Sequence, residues 1–594
     1  MTRVLAVLLL LTSCSALASD SWPDGKELSG RLKTLADNDR ATLHEIGYSA
    51  AGQKMRLLEI APENKAKDGP AVLVIGNAEG DLPLASLTAV ELGAAVLAAP
   101  EGAVAGSVRW YIVAMTSPDG LDRYFARPRQ EGGFNASPVD EDNDGLEGED
   151  PAEDLDKDGL ITWMLVEDPA GQWTLDESGL PMKADAARGL PGRYRREIEG
   201  HDNDGDGRFN EDPPGGVTIS RNFPHGFKPW TERGGRWPGD QPESRAILEF
   251  SFAHPDIALV LVLGRANNLQ TVPEAATPED LSTMVKVGWR MARSLGLRSG
   301  AEYPLSAVLA AVDERGARAN LTPALVRSKL HLKPQTNPPA EDLVWWQALA
   351  DQYQAFLVEH RLDAPRLKAP AVPPGSPASW AYFQFGVPAV AVDLWTLPSP
   401  VDTATVDSTM VAPAAGPVPD PELVILQRRT TETQHAGWRP WTLVTLPDGT
   451  AALVGGPEPG ARTTPSAYAA ETRARALQPF FLDLPTWIPR LEMAPLAITD
   501  RGEGLLEVEA TIINRGKLPY PTTMGGITRR PLPLVVTLGG GEPLQDPARR
   551  VVGTLPAGGA VTLRWLVRGQ KAGDISVTAS APSLGTITVK GGQR

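Results

Sequence analysis

Residues Asp202–Gly226 read DNDGDGRFNEDPPGGVTISRNFPHG, and the two halves of this stretch carry different chemistry. In the first half, Asp202, Asp204 and Asp206 alternate ahead of Gly207, with Glu211 and Asp212 following. Carboxylates at alternate positions on a tight turn converge on one point, which is how a loop surrounds an oxygen-preferring cation such as calcium. The same offsets recur upstream, where Asp140, Asp142 and Asp144 precede Gly145 and are followed by Glu149 and Asp150. A third piece, Asp154, Asp156 and Asp158 before Gly159, has the first half of the pattern. None has Glu at the twelfth loop position, so these are not EF-hands. Calcium is expected here in a structural role, pinning an insertion that lacks a core of its own. The competing reading is a solvated acidic linker.

The chain has 594 residues, which predicts two or three domains. Its net charge of −16 argues against a nucleic-acid partner, because phosphate binding needs clustered Lys and Arg. From Asp140 to Asp158 there are eleven Asp or Glu against Lys157 alone, a segment that repels itself unless cations neutralise it. At the N-terminus, Arg3 precedes the apolar run Val4–Leu11, and Ala16-Leu17-Ala18 supplies small residues for cleavage. Residues 1–18 therefore read as a signal peptide, and the mature protein is expected to be exported, periplasmic or extracellular. Leu11-Thr12-Ser13-Cys14 also fits the pattern preceding a lipid-modified cysteine, which makes Cys14 a candidate lipid anchor. Plain cleavage is preferred, because four-residue patterns often match by chance. Cys14 is the sole cysteine, so no disulfide is expected. No later apolar stretch is long enough for a transmembrane span.

Lys26–His44 is predicted helical from its leucine spacing. Met55–Ile60, Ala71–Ile75 and Tyr111–Met115 are predicted strands, and Leu82–Ala99 an apolar helix. Farther on come a helix over Glu243–Phe252, a buried strand over Ile257–Leu263, helices around Ser282–Ser294 and Asp342–Glu359, and a strand over Ala389–Trp395. A proline-rich loop over Leu397–Pro421 precedes a last helix, Tyr468–Gln478. This alternation predicts an α/β domain with a largely parallel sheet, whose ligand sites gather at the carboxyl ends of the strands. From about Pro489 the pattern changes to short strands between Gly and Pro turns, which predicts a small antiparallel β-sandwich over 489–594.

The second half of the opening stretch, Ser220-Arg221-Asn222-Phe223-Pro224, resembles the Asn-Arg-Asn-Phe-Pro run of bacterial zinc carboxypeptidases, the carboxypeptidase A-like metallopeptidases. Ser117-Pro118-Asp119-Gly120 is similar to that family's Asn-Pro-Asp-Gly, although taken alone it reads as a β-turn. The resemblance covers roughly residues 25–480, including an acidic insertion over 138–213, and the sandwich behind it resembles one found in some bacterial members. It implies a mixed central sheet with helices on both faces and a substrate carboxylate gripped at Arg221 beside Ser220. It also implies a zinc ion held by two histidines and a glutamate, with one coordination position left for water. Here the ligand positions are occupied by Glu79, Leu82 and Gly264, and the general base position by Asp393. The seven histidines form no H-x-x-E or H-x-H. Arg123, Arg127 and Arg129 are the candidates for the arginine that stabilises the oxyanion.

Three functions follow as expectations. The first is a carboxypeptidase-like protein that has lost zinc-dependent hydrolysis and binds a peptide or cell-wall fragment by its carboxylate. The second is an active metallocarboxypeptidase hydrolysing C-terminal residues of peptides, either with its ligands at positions other than those the family spacing gives or with Glu79 and Asp81 holding another metal. The third is a structural or adhesion protein of the envelope.

Overall fold

The computed structural model describes residues 22–592 except 65–67, 140–149, 152, 204, 206, 208, 211–215, 230, 232, 277–281, 320, 322, 331, 333–335, 365, 399–418, 434–436 and 569–570. The proposed signal peptide, Cys14, and Asp140, Asp142, Asp144, Asp204, Asp206 and Asp212 lie outside the described residues.

A six-stranded sheet forms the centre. Its strands are β1 (Ala41–Tyr48), β2 (Lys54–Ile60), β3 (Ala71–Gly76), β4 (Arg109–Val113), β5 (Ile257–Gly264) and β6 (Ala389–Asp393), in the spatial order β1-β2-β4-β3-β5-β6. The β1–β2 and β2–β4 pairs are antiparallel, and β4, β3, β5 and β6 run parallel. Every residue of β3, β5 and β6 is buried. Successive side chains point to opposite faces, so both faces of these strands are covered, as their unbroken apolar runs require. Cover comes from α1 (Gly25–Leu35), α2 (Pro83–Leu97), α4 (Pro242–Ala253) and α5 (Ala340–Glu359), while the short α3 (Pro118–Phe125) sits at the strand ends.

Two expectations need correction here, and one motif is placed. The predicted helix Lys26–His44 stops at Leu35, and Ala41–Tyr48, His44 included, is an edge strand. Asn38 turns the chain by accepting from the Arg40 N–H at 3.0 Å, and pairing with β2 satisfies the backbone beyond it. The segment predicted helical around Ser282–Ser294 splits into a strand, Met284–Lys286, and a helix, Trp289–Leu295. Ser117-Pro118-Asp119-Gly120, a β-turn if taken alone, is the start of α3, with Pro118 in the first turn, where its missing N–H costs nothing.

The acidic insertion also differs from its expectation, because it has a core. Its strands Trp163–Glu167, Trp173–Leu175, Pro181–Lys183 and Tyr194–Ile198 join Trp438–Thr445 and Ala451–Pro457 in a second, antiparallel six-stranded sheet. Met164, Val166, Leu446, Ala452 and Val454 pack together beneath it. Three of these five residues come from far along the chain, so the insertion alone does not show its core.

The C-terminal residues form two antiparallel sheets around one apolar cluster. Leu505–Asn514 alternates intermediate and buried along its full length, the signature of a strand with one face in a core. This unit is fastened to the sheet domain through Asp342, which is 1% exposed. The Asp342 carboxylate accepts from the Thr523 and Met524 N–H groups, each at 2.9 Å, and from the Tyr382 hydroxyl at 2.7 Å. No helix among the described residues is long and apolar enough to cross a membrane.

Candidate functional site

Parallel pairing aligns Gly76 with Leu263 and Gly264 with Asp393, so three strands deliver their carboxyl ends to one edge of the sheet. The segments leaving that edge are Asn77–Asp81 after β3, Arg265–Asn268 after β5 and Leu394 onward after β6. The first is a tight loop. Asn77 adopts φ +54° and ties the loop off, donating to the Gly80 carbonyl at 3.1 Å and accepting from the Leu82 N–H at 3.0 Å. Gly80, at φ +90°, lies so close to the Gly133 carbonyl that a Cβ there would come within 2.2 Å of it. Only glycine permits that approach.

This loop and its neighbours border a cavity of about 380 Å³ with Glu79, Asp81, Glu131, Arg221, Arg233 and Arg265 in its wall. Arg265 forms an ion pair with Asp81, and its backbone N–H donates to Glu79 Oε1 at 3.2 Å. Burial works against the Arg265 charge, and the Asp81 carboxylate beside it outweighs that and raises its pKa. Burial pushes the Glu79 carboxyl up, with Arg265 opposing. Two oxygens of these wall residues, Glu79 Oε2 and Asp81 Oδ1, are buried and have no hydrogen-bond partner among the described residues.

The residues at the expected zinc positions do not fit the metal. Leu82 is buried and caps the start of α2, offering no ligand atom. Gly264 offers none either, and a Cβ added to it would meet Glu79 Oε1 at 2.7 Å. Glu79 thus occupies the space a histidine at 264 would need. The cation in this part of the cleft is the Arg265 guanidinium.

Asp393 ends β6 at 1% exposure. It forms an ion pair with Arg366, whose Nη2 lies 3.3 Å from Oδ1, and it accepts from Asn267 Nδ2 at 2.6 Å. Both carboxylate oxygens are engaged. Arg366 lies far from Asp393 in sequence and carried no recognisable motif.

Ser220 and Arg221 lie on one short helical turn, Ile219–Arg221. The Ser220 N–H donates to the Ala78 carbonyl at 2.9 Å, which seats this turn against the loop after β3. The Arg221 side chain is exposed at the cavity rim. Asn222 is structural: its Oδ1 accepts from Ser244 Oγ at 2.6 Å and its Nδ2 donates to Asp240 at 2.8 Å. His225 is buried, stacked on Phe383 with ring centroids 4.5 Å apart, and borders a second cavity of about 530 Å³. Of the arginines considered for an oxyanion, Arg123 lies on the Phe134 ring and Arg129 approaches Glu458 at 3.6 Å; none of Arg123, Arg127 and Arg129 is in the cavity wall. Arg233, also on the Phe134 ring at 3.9 Å, is there instead.

Among the acidic residues, Asp154, Asp156 and Asp158 bring carboxylate oxygens within 4.8 Å of one another. The loop is shaped by its own backbone, with the Asp158 N–H donating to Asp154 and the Gly159 N–H to Asp154 at 2.7 Å. Arg439 lies 3.2 Å from Asp158 and so supplies part of the neutralising charge. Asp202 accepts from the Gly205 and Gly207 N–H groups. Asp150 is fully buried and accepts from the Asn210 N–H at 2.6 Å and from Asn203 at 2.9 Å. It braces the insertion from within.

A comparison with known families gives two matches. Residues 31–152 match the zinc carboxypeptidase family. The span takes in β1 to β4, the loop bearing Glu79 and the start of the acidic insertion. Residues 490–591 match a family described as a domain of unknown function. Among solved structures, carboxypeptidase A from Helicoverpa armigera is similar at 13% identity and a TM-score of 0.35, with 63% of this chain and 66% of that one covered. The metallo-carboxypeptidase from Burkholderia cenocepacia shares 21% identity over 16% of this chain and 28% of its own, at a TM-score of 0.15. Bovine thrombin-activatable fibrinolysis inhibitor is similar at 12% identity and a TM-score of 0.24, over 55% of this chain and 82% of its own. The chain thus spans just under two thirds of the Helicoverpa carboxypeptidase. No curated protein matches. The family match covers residues 31–152, and it leaves the chemistry to the residues in the cleft.

Proposed function

We propose that this chain is an exported carboxypeptidase-like protein that has lost zinc-dependent hydrolysis and holds a peptide or cell-wall fragment by its carboxylate. The observation that carries the reading is the Arg265–Asp81 ion pair beside Glu79, with Leu82 and Gly264 at the remaining ligand positions. A guanidinium can balance carboxylates and orient an anion, but it cannot lower the pKa of a bound water as zinc does. The engagement of Asp393 by Arg366 and Asn267 supports the same reading, since a general base needs a free lone pair facing the water. Arg221 at the cavity rim is suited to gripping a carboxylate through paired N–H donors.

The domain from 25 to 480 is the binding part in this reading, and the sandwich from 489 to 594 is its rigid companion. Calcium belongs to the proposal at Asp154, Asp156 and Asp158, where the convergent oxygens support a structural ion. The test uses the purified mature protein. Peptides incubated with it are expected to keep their C-terminal residues, and calorimetry is expected to show binding of peptide acids that weakens about tenfold or more in Arg221→Ala. Release of C-terminal residues that a chelator abolishes would overturn this and restore the active metallocarboxypeptidase.

A further inference from the structure

The cavity wall poses a question that carboxylate binding leaves open. Glu79 Oε2 and Asp81 Oδ1 are buried acceptors with no partner among the described residues, and Asp81 is 4% exposed. A buried carboxylate oxygen left unpaired is costly, so such atoms point to something that completes them. Arg265 does not, because it engages the other oxygens, Asp81 Oδ2 and Glu79 Oε1. A metal does not fit either, since Leu82 and Gly264 supply nothing to a third or fourth coordination position and Arg265 already brings positive charge against Asp81.

The remaining chemistry is a ligand with N–H donors. The formal charges of the wall balance, with Glu79, Asp81 and Glu131 against Arg221, Arg233 and Arg265. A purely anionic ligand would unbalance them; a dipolar one would not. The acids Glu79 and Asp81 follow β3, whereas Arg221 comes from a separate turn and Arg233 from the Phe134 ring. The wall therefore carries both unsatisfied acceptors, on Glu79 and Asp81, and guanidinium donors, on Arg221 and Arg233. Its volume of about 380 Å³ lies in the range of small-molecule sites.

We propose that this cavity recognises a small zwitterion, an amino acid or short peptide with a free amine, whose ammonium group donates to Glu79 Oε2 and Asp81 Oδ1 while its carboxylate faces Arg221 and Arg233. The inference rests on the carboxylate-binding reading above and adds the second pole of the ligand. The ammonium takes the place in the cleft that the family gives to its metal.

The test is calorimetric titration of the full mature chain with alanyl-alanine, with propionyl-alanine, which lacks only the amine, and with alanyl-alanine amide, which lacks the carboxylate. Alanyl-alanine is expected to bind at least about tenfold tighter than propionyl-alanine, the worth of a charge-assisted hydrogen bond. Glu79→Gln, nearly identical in shape, is expected to erase most of that preference. Equal affinity of the wild type for alanyl-alanine and propionyl-alanine would overturn the ammonium site and leave the carboxylate reading standing. Undiminished binding of the amide would instead overturn the carboxylate reading. Because the first comparison varies the ligand alone, it holds even if Glu79→Gln fails to fold. A Glu79→Gln variant that melts like the wild type and keeps the preference would also overturn the proposal.

Discussion

Arg366 and Asp393 form an ion pair at the end of β6 that solvent barely reaches, with Asp393 1% and the Arg366 side chain 12% exposed. Asn267 completes the set by donating to the same carboxylate at 2.6 Å. Removing one member of such a pair strands the other without compensation. Arg366→Met is expected to lose about 3–5 kcal/mol of stability, and the double variant Arg366→Met/Asp393→Leu to recover most of it. Urea denaturation of the two variants checks this; equal losses in both would show that the pair carries no such coupling.

Gly264 and Glu79 exclude one another's alternatives. Because a Cβ at 264 would lie 2.7 Å from Glu79 Oε1, Gly264→His alone is expected to destabilise the fold by about 1–3 kcal/mol and to bind no zinc. Adding Glu79→Ala is expected to relieve much of the loss. Thermal melts of the single and double variants, with metal analysis, decide it.

Asp342 joins the sandwich to the sheet domain through two hydrogen bonds, from the Thr523 and Met524 N–H groups, and accepts a third from Tyr382 within its own domain. In Asp342→Ala the Thr523 and Met524 N–H groups and the Tyr382 hydroxyl lose their acceptor. The expected cost is about 3 kcal/mol. Hydrogen exchange should show faster opening of Thr523–Thr528 while β3 stays protected.

Glu199 sits fully buried in the acidic insertion, where burial pushes its carboxyl up to about 7 against the hydrogen bonds from Leu155 and Thr162. A raised carboxyl pKa means that the folded state holds a proton the unfolded chain has released. Its contribution is therefore fully present below pH 4.5, the ordinary value, and is lost as pH rises through about 7. Glu199→Gln removes this dependence, so its melting temperature should gain on the wild type as pH rises across that window. A constant difference from pH 4.5 to 8 would contradict the assignment.

Calcium added to the mature protein is expected to raise its stability by about 2.7 kcal/mol at a hundredfold excess over the dissociation constant. Asp154→Ala should lose that response. An unchanged melt in both proteins would leave Asp154, Asp156 and Asp158 as an acidic turn neutralised by Arg439 alone.

The elements that could be read from the sequence are those whose partners are local or whose burial is complete. The runs Ala71–Gly76 and Ile257–Gly264 are apolar throughout, and both are buried strands as expected. The run 41–48 mixes polar and apolar residues on an edge, and its leucine extended the preceding helical spacing by coincidence. At the site, the family spacing pointed to Glu79, Leu82 and Gly264. Arg265, Arg366 and Arg233 could not, because each acts through a partner distant in sequence, and arginines are common on any surface. The expectation of an insertion without a core failed for a related reason, since its apolar residues complete themselves against Leu446, Ala452 and Val454.

That second sheet sets an order of events during synthesis. Leu165 pairs with Leu453, so the strand that anchors the acidic insertion waits for a partner made long after it. Until residues 451–457 emerge, the edge of Trp163–Glu167 stays open to any passing chain, and closing so large a loop slows the step that covers it. The eleven acids between Asp140 and Asp158 lie directly before that edge. While the strand stands bare, like charge on the residues just before it works against pairing with a second nascent copy.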